Sequence, residues 1–115
     1  MLGTRIIIFL LLFSGIAAVG FSAENKGPRE ISLEGGTGGP VPFPHHRHQD
    51  AVGSCTICHD LFPQQVGGIQ ELKNRQKLAS KDVMNKSCIK CHREKKTAGE
   101  KSGPLTCTTC HKKPG

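Results

Sequence analysis

Tryptophan and tyrosine are absent from this 115-residue chain, and its aromatic residues are five phenylalanines. That lack argues against a nucleic-acid surface, which interleaves stacking rings with basic residues. Beyond residue 21 large apolar side chains are sparse, so a core made of protein alone is thin at this size. A small domain of this composition needs staples of another kind. Negative charge is also short: nine Asp and Glu face 16 Lys and Arg, for a formal net charge of +7. The basic residues gather in the segments Lys73 to Lys86, Lys90 to Lys101 and Lys112-Lys113. They read as a solvated face that keeps a small protein soluble. The sharper alternative is a docking patch for an acidic partner.

Long apolar runs are missing too, except one. Ile6 to Phe21 follows Arg5 and is densest from Ile6 to Phe13. It falls short of the roughly 20 residues that span a bilayer. A positive residue, an apolar stretch and then small residues make residues 1–23 a secretory signal. Ala18-Val19-Gly20 offers small residues at the spacing a cleavage site needs, whereas cleavage after Ala23 would set Phe21 where a small side chain is wanted; an uncleaved membrane anchor is the rival reading. Residues 24–115 then form a single domain.

Cysteine, by contrast, is present and fully organised. All six residues fall into three copies of one pattern: Cys55-Thr56-Ile57-Cys58-His59, Cys88-Ile89-Lys90-Cys91-His92 and Cys107-Thr108-Thr109-Cys110-His111. Cys-x-x-Cys-His is the attachment signature of c-type haem. Two thiols three residues apart reach the two vinyl groups of one porphyrin, and the next His supplies an axial nitrogen. Zinc also uses paired thiolates, and an exported small chain can carry disulfides. Neither needs a His after every pair. The cofactor expected is haem c, three copies covalently attached, with porphyrin faces replacing the missing apolar core. A chain this small with three haems is expected to be an electron carrier and not an enzyme.

His59, His92 and His111 are used within the motifs, leaving His45, His46 and His48. Three His in four positions just before a haem motif point to the opposite axial sites. His–His and His–Met are the usual axial pairs, and Met raises the potential.

Along the chain, Glu30 to Glu34 alternates polar and apolar residues, Gly35 to Gly39 is a turn, and Pro40 to Phe43 returns as a proline-limited edge strand. Together they predict an N-terminal hairpin. Residues 45–52 predict one or two helical turns, and Leu61 to Gly68 a loop. Ile69 to Ala79 is helix-competent, with Glu71 and Arg75 at i,i+4 and a narrow apolar face of Ile69, Leu72, Ala79 and Val83. Lys86 to Lys96 is expected to carry the second motif on a helical turn, and Thr97 to Pro104 is loop. The fold class expected is therefore small and mostly irregular, with short α-helices, an N-terminal β-hairpin and a haem-packed core.

Phe43-Pro44-His45-His46-Arg47-His48, a short spacer and then Cys55-x-x-Cys58-His59 resembles the opening of the class III multihaem cytochromes c. The three motifs, the close placement of the last two and the Lys-rich tail are most similar to the triheme cytochrome c7 branch. The resemblance covers roughly residues 30–113, with a longer loop between the first two motifs. It implies a cytochrome c3/c7-like fold and a periplasmic carrier of metal- or sulfur-reducing bacteria. It also implies that His45 is the distal ligand of the haem on Cys55 and Cys58, and His48 that of the haem on Cys88 and Cys91. The family's third distal His lies four residues before the second motif, and here that position is Met84. Met84 is the favoured ligand of the haem on Cys107 and Cys110, while His46 and an open site are the alternatives. The partners expected are an inner-membrane quinol-oxidising cytochrome and a terminal reductase or outer-membrane conduit. The chain is expected to be a monomer, without nucleic acid, and at the membrane only if its signal is uncleaved. A small reductase of metal ions or sulfur species at an open haem is one alternative. A membrane-tethered redox subunit of a larger complex is the other.

Overall fold

The structure is a computed structural model that describes residues 26–113; the expected signal segment 1–23 lies outside the described residues. Strand β1 (Ile31–Leu33) pairs antiparallel with β2 (Val41–Phe43). The register sets Ile31 opposite Phe43 and Leu33 opposite Val41, which leaves Ser32 and Pro42 on the exposed face. This is the alternation of a half-buried strand pair, and it matches the expected hairpin. Between the strands, Gly36–Gly38 makes a single 3-10 turn.

Helix α1 (His45–Val52) starts directly after Pro44 and ends at Gly53, whose φ of 72° and N–H to Gln49 O form a left-handed cap. Helix α2 (Thr56–His59) carries the first Cys motif. Helix α3 (Gly68–Asn74) is shorter than the expected Ile69 to Ala79. Gln76 takes φ 57°, its N–H bonds Lys73 O, and the Lys77 N–H reaches back to Leu72 O. That paired closure is a Schellman cap. A left-handed non-glycine residue costs roughly 1–2 kcal/mol. The turn brings in Leu78, the buried apolar residue among those described, at 5 % exposure. Burying a Leu side chain is worth about 1.5–3 kcal/mol, enough to offset the strain. Ala79, expected on the helix's apolar face, is exposed beyond the helix end.

A π-helical turn (Met84–Cys88), closed by the Ile89 N–H on Met84 O, leads into α4 (Ile89–Thr97), so the second motif straddles the junction. The last motif sits on α5 (Cys107–Cys110). The Lys112 N–H bonds Pro40 O at 2.9 Å, tying the third motif to the hairpin turn. Phe43, Phe62, Leu33 and Leu72 are all half-buried. The protein thus presents partly covered apolar surface around its Cys motifs, as a domain does when another group completes its core.

Candidate functional site

Five of the six histidines are held in the same way. Nδ1 of His45 bonds Pro28 O at 2.9 Å, that of His48 bonds Pro44 O at 2.9 Å, and that of His59 bonds Phe62 O at 3.2 Å. Nδ1 of His92 bonds Pro104 O at 2.7 Å, and that of His111 bonds Gly39 O at 3.1 Å. Each carbonyl can only accept, so each Nδ1 donates. The proton is then fixed on Nδ1 and the Nε2 lone pair is left for a metal. His46 is the exception, because its Nε2 bonds Gly27 O at 2.9 Å. Its ring is committed through the nitrogen that the other five keep clear.

The rings also pair. His45 and His59 have centroids 6.3 Å apart at 89°, and His48 and His92 have centroids 6.1 Å apart at 23°. First-row metal–imidazole bonds of about 2 Å place two axial rings roughly 6 Å apart, so both pairs have the spacing of ligands on one iron. Spacing alone does not identify a pair, since His45 and His46 are also 6.1 Å apart. The Nδ1 anchors separate the cases. Helix α1 supplies one ring of each couple: His45 and His48, three residues apart, face His59 and His92 respectively. Phe43 packs on this arrangement with its ring 4.3 Å from His48.

The three Cys motifs converge. The Ser87 hydroxyl contacts Cys58 Sγ at 3.8 Å, bringing the first and second motifs side by side. Burial pushes the Cys88 thiol above its ordinary value, and the nearby Cys58, Cys110 and Cys91 add to the shift. Cys88 therefore lies among thiols of all three motifs. An open crevice of about 370 Å³ runs between Thr56, Ile57, Asp60 and Leu61 on one side and Lys86 and Ser87 on the other. No disulfide joins these cysteines, and among the described residues no three His, Cys, Asp or Glu side chains close on a common metal point. The donor set fits c-type haem in all its parts: paired free thiols, a following His with a directed Nε2, and partly covered apolar walls.

His111 differs from the other motif histidines. It faces the glycine turn of the hairpin, against Gly35 and Gly38, and among the described residues no imidazole stands opposite it as His45 and His48 stand opposite His59 and His92. Met84, half-buried on the π turn, is four residues before Cys88. Asp82 braces that turn: its Oδ2 accepts from the Ala79 N–H at 3.0 Å and from Lys86 Nζ at 3.1 Å, and these bonds hold its carboxyl below the usual value. The π turn, the carbonyl anchors and the glycine contacts were not anticipated from the sequence. The Gly-Pro steps 27–28 and 103–104 were the only local signal for two of the anchors.

Comparison with known proteins agrees with this geometry. The sequence model of the family described as "Cytochrome c7 and related cytochrome c" matches residues 41–112. The cytochrome c7 of Geobacter metallireducens is 35 % identical over 109 residues, covering 95 % of this chain and 98 % of that protein. A 26 kDa cytochrome c3 of Desulfomicrobium norvegicum is 34 % identical over 64 % of this chain and 78 % of its own length. Among solved structures, the triheme cytochrome PpcA of Geobacter sulfurreducens superposes with a TM-score of 0.53 and 34 % identity, over 75 % of this chain and all of that one.

Proposed function

This chain belongs to the cytochrome c7 family and carries c-type haem, and from that premise we propose that it is a periplasmic one-electron carrier with protein ligands on both faces of every iron. The observation that carries the reading is the pair of imidazole couples, His45 with His59 and His48 with His92, each ring pinned through Nδ1. The bound haem supplies an iron that accepts and returns one electron. The chain does the rest. Cys55 and Cys58, Cys88 and Cys91, and Cys107 and Cys110 hold the three groups through thioethers. His45 and His59 would ligate the iron of the first, and His48 and His92 that of the second. His111 and Met84 would ligate that of the third.

Met84 is assigned by its position four residues before Cys88, where the resemblance puts the third distal His. The alternative, His46, is bonded through Nε2 to Gly27 O. Rings held by backbone carbonyls would be restrained in one orientation, which would lower the structural cost of gaining or losing an electron. The Ser87 hydroxyl against Cys58 Sγ sets the first two motifs side by side, a placement that would suit transfer between their haems.

Export follows from the composition of residues 1–23, and the three thioether pairs require attachment outside the cytoplasm. Among the described residues no helix is long and apolar enough to cross a membrane. The protein then works between a quinol-oxidising cytochrome of the inner membrane and a terminal reductase or outer-membrane conduit, docking through its lysines. One experiment tests the central claim. The purified holoprotein is titrated in both redox directions and then exposed, reduced, to carbon monoxide. Three reversible one-electron steps and no carbon monoxide complex are expected. A rapid complex at one iron would instead identify an open site and a reductase.

A further inference from the structure

Three axial rings share a seat made in the same way. Beneath His92, a Cβ built on Gly103 would fall against ring atoms, 2.6 Å from Nε2 and 2.8 Å from Nδ1, and the next residue, Pro104, takes the Nδ1 proton. Beneath His111, a Cβ on Gly38 would lie 2.7 Å from Nδ1 and 3.0 Å from Cγ, and the next residue, Gly39, takes the Nδ1 proton. Beside His45, a Cβ on Gly27 would approach Cε1 at 3.5 Å, and again the next residue, Pro28, is the acceptor. The contacts below 3 Å are closer than real Cβ atoms come, so at Gly38 and Gly103 any side chain must move the ring or the backbone. The Gly27 seat is looser, at ordinary contact distance.

We infer that Gly27-Pro28, Gly38-Gly39 and Gly103-Pro104 are imidazole clamps, one for each haem site, in which the glycine admits the ring and the following carbonyl fixes its rotation and Nδ1 proton. The inference rests on the axial-ligand reading above. It makes Gly38 and Gly103 positioning residues: they touch no iron and act through His111 and His92. The strength of the Nδ1 bond sets how electron-rich the ligand is, and the ring's rotation sets how its orbitals meet the metal. Each clamp therefore adjusts its own site separately from the others. The clamps also explain why residues far apart in sequence, in the leader, the hairpin turn and the 97–104 loop, all converge on histidines.

The test uses full-length holoprotein carrying Gly103→Ala or Gly38→Ala. Haems are counted by intact mass, and the ferric low-spin resonances and haem-methyl shifts are assigned site by site. Gly103→Ala is expected to move the signals of the haem on Cys88 and Cys91 alone, and Gly38→Ala those of the haem on Cys107 and Cys110 alone. Loss of just that one haem is the same effect carried further. Unchanged signals, or equal changes at all three sites, overturn the inference. A second measurement needs no variant. In reduced wild-type protein the Nδ1 protons of His92 and His111 should exchange slowly and show cross-relaxation to the Gly103 and Gly38 α-protons, and their absence overturns the clamps. Wild-type protein with no bis-imidazole low-spin signal at all would instead overturn the ligand reading on which they rest.

Discussion

The sites of the first two motifs and the site of the third are built differently. At the first two, α1 delivers two imidazoles three residues apart, and each meets a motif histidine already turned toward it. At the third, His111 is seated just as firmly on the hairpin turn, yet no second imidazole faces it among the described residues. The contrast shows that the proximal half of each site is specified separately from the distal half. On the proposed ligand set, changing one distal residue would therefore alter one iron and leave the scaffold intact. On the proposed assignment of Met84, it also divides the molecule into two sites of matched ligands and a third of mixed ligands, where a thioether would confer a higher potential.

The most severe way to break this comparison is to remove an attachment. With apolar surface only half-covered throughout, Cys58→Ala or Cys91→Ala should lose structure as well as one haem. The loss of stability should resemble that of a staple in a small domain, about 2–5 kcal/mol. Intact mass and denaturant unfolding read both effects, and native stability in a two-haem variant would contradict the haem-packed core. Next in size is the third site itself. Met84→His should bring the highest of the three potentials down toward the other two, and Met84→Ala should let the reduced protein bind carbon monoxide. Three unchanged potentials in Met84→His would remove Met84 from the ligand set.

Whether α1 serves only the first two sites is tested at Gly53. Its φ of 72° makes Gly53→Ala strained, for a cost of about 1 kcal/mol seen in the unfolding midpoint. The resonances of the third haem should stay in place. His46→Gln is expected to do less still: all three low-spin spectra persist, because His46 is committed to Gly27 O through Nε2. Loss of a low-spin signal would make His46 a ligand after all. The smallest effect concerns pH. Asp82 has a carboxyl held below its ordinary 3.8, so its support of the Met84 turn is complete above that value and is lost as pH falls through the lower folded-state value. Any acid-induced change in that range should begin at the third haem and be absent in Asp82→Asn.

Local pattern was enough for much of this architecture. The alternation at 30–34, the glycine turn and the proline-limited return strand predicted the hairpin, and the Cys-x-x-Cys-His copies marked the three attachment points. Both are written in adjacent residues. The end of α3 was not legible, because Gln76 adopts a left-handed turn that its side chain does not announce, in return for burying Leu78 two residues later. Nor were three of the five ring anchors. Pro28 lies 17 residues from His45, Pro104 12 from His92 and Gly39 72 from His111, and no periodicity links positions so far apart. The π turn before Cys88 escaped as well, since one extra residue in a helical turn leaves no mark on composition.

All five acceptors that orient the Nδ1 protons are main-chain carbonyls, on Pro28, Gly39, Pro44, Phe62 and Pro104. A main-chain oxygen survives every codon change. Random substitution at these five positions can bend the path of the chain, but it cannot delete the acceptor, as it could with a carboxylate or amide side chain. The Nδ1 tautomers of these histidines therefore depend on the course of the main chain and on no side chain at the five positions.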